Sequence, residues 1–220
     1  MDIDEARAEV SRIFDAPLEA LTEGRRLSVV PGVPEGEWDL PAPDREALWS
    51  HGLPPARDDS LYGLVADYQS AREPELVTDG SRLYGIGGFG EARVAARAGS
   101  GEVLAVPTFT YDEVHPQLQH MFPDGVRPVL LNSSVARLVD FAWRWHWLLP
   151  VLTAQQTWAG AEETTAWGNA RTPEEKAALP DFYAEIRELC EEVVERFRQF
   201  DGPAVSNEDS PWREAVMEYL

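Results

Sequence analysis

Ile3, Ala6, Val10 and Ile13 recur at helical spacing with charged residues between them. An apolar position every three to four residues lays one stripe along one side of a helix, so this spacing predicts an amphipathic helix over residues 2–14, ending before Pro17. The pattern then weakens. Leu27-Ser28-Val29-Val30 fits a short strand, and Pro31, Pro34, Pro41 and Pro43 forbid regular ladders around it. A short helix is expected from Asp44 to His51, with Asp44 as its N-cap and Gly52 as its stop. "GLPPARDDS" then reads as loop. From Glu75 strand character becomes dense: Asp79-Gly80 is a turn signal between "PELVT" and "RLYGIG", and two apolar runs surround Gly99-Ser100-Gly101. Residues 75–107 therefore read as a meander of three or four strands.

The strongest helical pattern lies in "LNSSVARLVDFAWRWHWLLPVL". Asn132, Ser133 and Ser134 can each accept a bond from the first unpaired N–H groups of a helix, which places its start there. Leu138, Phe141, Ala142, Trp145, Leu149 and Leu152 form one stripe, and Trp143 and Trp147 project from roughly the opposite side, so both faces need cover. Two C-terminal stripes can supply it. Phe182, Ile186, Leu189, Cys190, Val193, Val194 and Phe197 make one, and Trp212, Ala215, Val216 and Tyr219 make another after the start signal Ser210-Pro211. Thr172-Pro173-Glu174-Glu175 predicts a short capped helix before Pro180. On this pattern Trp143 and Trp147 are expected to lie beneath the C-terminal helices.

Composition narrows the class. A chain of 220 residues with 44% hydrophobic content buries one substantial core, and no low-complexity linker divides it. The richest apolar run, Phe141 to Ala154, is too short to span a bilayer and is interrupted by Arg144 and His146, so a soluble protein is expected, and a single cysteine fits a reducing cytoplasm. The single cysteine, Cys190, falls on an apolar helical face and is expected to be a buried, inert thiol. The net charge is -20. Residues 1–80 carry 18 acids against 7 bases, residues 81–160 carry 6 against 6, and residues 161–220 carry 15 against 6. Such flanks repel nucleic acid and anionic membrane and attract a basic protein.

Candidate chemistry is thin. Gly85, Gly87 and Gly90 have the spacing of a phosphate-binding loop, but a strand follows them where a dinucleotide fold needs a helix, and the kinase alternative lacks a lysine on the next strand. The chain's one lysine is Lys176. These glycines are better explained as a bulge or as a place where another backbone passes close. Asp112, Glu113, His115, His120 and Asp124 crowd one irregular stretch, yet the two histidines are five apart with Pro116 between them, which fits no common zinc spacing. Ser133 or Ser134 with Asp140 and His146 would be a hydrolase set only if the side chains converged, and on one helix they point apart. No catalytic, cofactor-binding or metal-binding residue is assigned. The remaining candidate is a contact face. On the helix from Asp181 to Phe200 an inward stripe leaves Glu188, Glu191, Glu192 and Glu195 together on the outer side. There they repel one another by a few tenths of a kcal/mol per pair and suit a basic partner.

One resemblance gathers these pieces. "GLP" from Gly52 to Pro54, "DGSRLYGIG" from Asp79 to Gly87, "GEVLAV" from Gly101 to Val106, and "LNSS" from Leu131 to Ser134 resemble, in content and order, the fourth group of the SUKH immunity-protein superfamily. The best-matched core is residues 44–152, within a single domain over residues 1–220 that ends in a helical extension over residues 172–220. The resemblance implies an α+β fold, with one central, mostly antiparallel sheet, helices packed on it and further C-terminal helices. It also implies a bacterial protein that binds and neutralises a cognate toxin without catalysis or cofactor of its own. Two alternatives stay open: an enzyme acting on a nucleotide or small molecule through the glycine loop at residues 85–90, and a regulatory adaptor of the same fold.

Overall fold

A computed structural model describes residues 1–22, 28–56, 64–68, 75–76, 80–90, 92–117, 119–121, 125–206 and 210–219. Helix α1 (Ile3–Asp15) begins at a capping box in which the Asp2 side chain accepts from the Glu5 N–H while Glu5 reaches back to the Asp2 N–H. Its Ala6, Val10 and Ile13 are fully buried. After the single turn α2 (Leu18–Leu21), the expected strand at residues 27–30 reduces to one bridge, Val29 to Leu53, with both N–H···O bonds at 2.9 Å. Leu27 lies outside the described residues.

Helix α3 (Ala42–Ser50) corrects the expectation for Asp44, which sits inside the helix, with Pro41 at the cap position. Asp44 is buried because its carboxylate serves a different helix: Oδ1 accepts from the Ala136 N–H at 2.9 Å. A short-range cap and a long-range one have the same residue preference, and sequence spacing reports only the first. Gly52 ends α3 as expected, at φ +64°, and a Cβ there would lie 2.5 Å from the Val29 carbonyl oxygen.

The sheet is antiparallel throughout. β1 (Leu64–Ala66), β3 (Arg82–Phe89), β4 (Ala92–Arg97), β5 (Val103–Pro107) and β6 (Val129–Asn132) lie in the order β1-β3-β4-β5-β6, and β2 (Glu75–Leu76) shares the β3 edge with β1. The meander of residues 75–107 is thus the centre of a wider sheet. Asp79, half of the expected turn, is outside the described residues, while Gly80 is at φ +79°. One sheet face, with Tyr84, Ile86, Val94, Ala96, Val103 and Leu131, enters the main core. The other carries a small cluster of Leu83, Ala95 and Leu104.

Helix α4 (Val135–Asn169) starts where the serines indicated: Ser134 is the N-cap and accepts from the Arg137 N–H at 3.2 Å. Its start is further held by Asp44 and by Asp201, whose Oδ2 accepts from the Ser133 N–H at 2.8 Å and from Asn132 Nδ2 at 3.1 Å. Two carboxylates beside the positive end of a helix satisfy donors that would otherwise be orphaned. The helix continues through Pro150 to residue 169, well beyond the last predicted apolar position at Leu152. α5 (Pro173–Ala177) has the expected capping box at Thr172, and α6 (Ala184–Phe200) and α7 (Pro211–Met217, capped by Ser210) bury the predicted stripes except at Phe182, which precedes α6 and is only half-buried. Buried residues from Ala6 to Tyr219 join one hydrophobic cluster.

The cover on α4 is the reverse of what its pattern suggested. The C-terminal helices pack on the Phe141/Trp145 stripe: Phe141 lies 4.4 Å from Phe197 and 5.4 Å from Trp212, ring centre to ring centre, and Trp145 lies 6.1 Å from Tyr219. Trp143 and Trp147 meet N-terminal segments. Trp143 is fully buried and donates Nε1 to the Gly52 carbonyl at 2.9 Å, and Trp147, half-buried, donates to the Leu21 carbonyl at 2.9 Å. The wider aromatic stripe took the helices with the larger rings, leaving two indoles whose N–H groups need carbonyls, which helix ends provide.

Candidate partner-binding surface

On α6 the residues Ile186, Leu189, Cys190, Val193, Val194 and Phe197 are buried, so the opposite side faces out. Glu188, Glu191 and Glu195 are exposed there and Glu192 is half-buried. The structure brings the four glutamates onto one face, but the expected mutual repulsion is relieved within the chain. Arg7 of α1 pairs with Glu188 at 2.9 Å, Arg213 of α7 pairs with Glu191 at 3.1 Å, and Arg198 pairs with Glu195 one turn along. Two of these pairs tie α6 to its neighbouring helices. Sequence spacing places like charges on one helix and says nothing of bases arriving from other elements.

A second surface feature was not anticipated. Beyond Leu152 only Gln155 and Ala159 of α4 are buried, so residues 153–169 form an arm with solvent on most sides. Two tryptophans stand on it, Trp158 at 52% exposure and Trp167 at 49%. Trp167 is engaged by Lys176 of α5, whose Nζ lies 4.7 Å from the ring centre. The signal for this arm was present as two tryptophans outside any apolar periodicity.

The buried polar centre was also missed. Arg144 is 4% exposed and ties α4 to the end of α1: Nη1 donates to the Ile13 and Phe14 carbonyls at 2.5 and 2.8 Å, Nη2 donates to the Ala16 carbonyl at 3.3 Å, and the guanidinium pairs with Asp140 at 3.0 Å. It also lies 4.3 Å from the Phe200 ring centre. It satisfies the last carbonyls of α1, where the helix dipole favours a cation.

The remaining candidates take structural places. Gly85 and Gly87 flank a register shift between β3 and β4, and a Cβ on Gly87 would collide with the Val65 carbonyl of β1. Bulge and close approach are both realised in one hairpin. Of the residues set aside as a hydrolase set, Ser134 caps α4, Asp140 pairs with Arg144, and His146 is buried with its ring edge-on to Trp143 and Trp147. Glu113 caps the turn at Thr110, whose N–H it accepts at 2.7 Å, and these bonds hold its carboxyl below the usual range. Among the described residues no group of three or more His, Cys, Asp or Glu side chains is placed to hold a metal; Asp124 lies outside them. Cys190 is buried, and burial pushes its thiol up to about 12, as an inert thiol requires. No helix among the described residues is long and apolar enough to cross a membrane.

These features define an α+β domain that layers helices on one antiparallel sheet and presents carboxylates and aromatics outward. The chain belongs to the SUKH-4 immunity protein family, whose profile matches residues 16–219. The match takes in every element from α2 to α7, including the C-terminal helices. No curated protein and no solved structure matches the chain.

Proposed function

We propose that this chain is a cytoplasmic immunity protein of a bacterium that neutralises one cognate toxin by binding it, without catalysis or cofactor, and that the whole of residues 1–220 acts as one domain. Membership of an immunity-protein family carries the reading. Two physical features support it: one cluster of buried residues joins the first and last helices, and the net charge of -20 suits a basic protein and repels nucleic acid and anionic membrane. The outward face of α6, with Glu188, Glu191, Glu192 and Glu195, acts as a steering surface. Charges on a rim raise the association rate more than they slow dissociation.

The test is protection. Cells expressing the toxin encoded beside this chain's gene survive when the chain is co-expressed and die when it is deleted. Survival without the chain, or death despite it, overturns the proposal. With purified components, association slows steeply as salt rises, and charge reversal at the four glutamates lowers the on-rate more than it raises the off-rate. Salt-independent association removes the α6 face.

A further inference from the structure

We infer that the open flank of the α4 arm, centred on Trp158, is the anchoring surface for a basic protein partner that inserts an apolar cleft over the indole; this rests on the immunity reading above. Trp158 is 52% exposed, and among the described residues it makes neither a ring contact nor a hydrogen bond. Its neighbours one turn away on the same side are Ala154, Ala161 and Glu162, all exposed, so two methyls leave the indole standing above the helix. The threonines of the arm add little polarity. Thr157, Thr164 and Thr165 each turn the hydroxyl back to the carbonyl four residues earlier, at 2.8, 2.7 and 2.8 Å, so their methyls, not their hydroxyls, meet solvent. Ala154, Trp158, Ala161 and Thr165 thus form a narrow, exposed apolar stripe around one large aromatic, the composition of an interface anchor.

Charge selects the occupant. Between Arg144 and Arg171 the chain has no lysine or arginine, while Glu162 and Glu163 lie on the arm; just beyond it Glu174 and Glu175 accompany Arg171 and Lys176, and Lys176 sits over Trp167 rather than Trp158. A second copy of a chain with net charge -20, or an anionic membrane, would bring like charge to this stripe. A basic protein is complementary to it. The arm and α6 then divide the work: the glutamates set the encounter rate, and Trp158 sets how long the complex lasts.

The probe is the purified toxin domain encoded beside this chain's gene, tested against the full chain by surface kinetics. Trp158→Ala raises the off-rate at least about thirtyfold, the scale of an interface hot spot, while its circular dichroism and melting temperature stay those of the parent. Glu162→Lys, a variant that keeps the indole, slows association and makes it less sensitive to salt. Unchanged kinetics for both variants, with the parent binding, overturn the arm and leave the immunity reading intact. A parent that sediments as a dimer and becomes monomeric on Trp158→Ala shows that a second copy occupies the stripe, and also overturns it. No binding by the parent overturns the immunity reading, and the inference falls with it.

Discussion

Trp143 and Trp158 sit on the same helix in different surroundings. Trp143 lies in the half of α4 on which α1, α3, α6 and β6 close, and its indole, on the side of the N-terminal segments, is fully buried with its N–H on the Gly52 carbonyl. Around Trp158 only the flank through Gln155 and Ala159 is covered, and half the side chain meets water. The first half of α4 is helical because packing demands it. The second holds four threonines and two glycines beside its Ala, Gln and Glu residues and is helical chiefly by continuation from a formed helix. One helix therefore serves as the axis of the core and as a projecting element, and the same residue type is structural at one end and available at the other.

Substitution at the two positions tests that contrast most directly. Trp143→Ala removes a buried indole and leaves the Gly52 carbonyl without its donor, and is expected to lower stability by about 3–5 kcal/mol. Trp158→Ala is expected to change it by less than about 0.5 kcal/mol. Urea unfolding followed by circular dichroism measures both. Equal losses would mean that the arm belongs to the core, and the contrast would collapse.

Next in size is Arg144, which holds the core half of α4 to the end of α1. Arg144→Met keeps the stem but strands the Ile13, Phe14 and Ala16 carbonyls at the end of α1 and the Asp140 carboxylate, whose side chain is only 15% exposed. Loss of one partner of a buried pair is expected to cost about 3 kcal/mol. Adding Asp140→Leu should recover part of that loss, because it removes the uncompensated charge. A double-mutant cycle in urea shows no coupling if the pair is incidental.

Asp44 sharpens the comparison through pH. Burial raises its pKa above the usual 3.8, and the bond from the Ala136 N–H lowers it only in part. In the folded chain this carboxyl therefore binds a proton more readily than in the unfolded chain. The folded state holds more protons between the unfolded value and the raised one, so stability falls as pH rises through that window and the deficit persists at neutral pH. Asp44→Asn keeps an acceptor for Ala136 and removes the charge. It should abolish that slope and be at least as stable as the parent at pH 7. Melting curves from acid to neutral pH check it, and an Asp44→Asn protein that retains the slope assigns it to another group.

The periodicity of α1, the C-terminal stripes, the caps at Ser134, Thr172 and Ser210 and the glycine-rich hairpin were legible because each rests on neighbours within a few residues. What could not be read was long-range. β6 runs directly into the helix through Val129–Asn132, so its four residues merge with the α4 pattern. Asp44 looks like a local cap and serves a helix far along the chain, and Arg144 looks like an interruption while acting as a C-terminal cap for α1. The α6 glutamates were placed on the correct face, but the arginines that pair with Glu188 and Glu191 come from α1 and α7. Trp158 was invisible to apolar patterning because it belongs to no buried stripe.

The smallest expected effect concerns those ion pairs and asks how far α6 is a part of the framework. Arg7 with Glu188 and Arg213 with Glu191 bridge α6 to α1 and α7, yet the glutamate side chains are 72% and 50% exposed. Pairs this open are screened by water and salt and are expected to contribute below about 1 kcal/mol each. Glu188→Gln and Glu191→Gln should therefore lower the melting temperature slightly at low ionic strength and not measurably at high salt, since screening removes what each pair adds. If the loss persisted undiminished in high salt, the contacts would be packing and hydrogen bonding rather than charge, and α6 would resemble the core half of α4. A loss that vanishes with salt leaves the glutamates exchangeable, able to release their arginines and turn toward a basic partner at little cost to the fold.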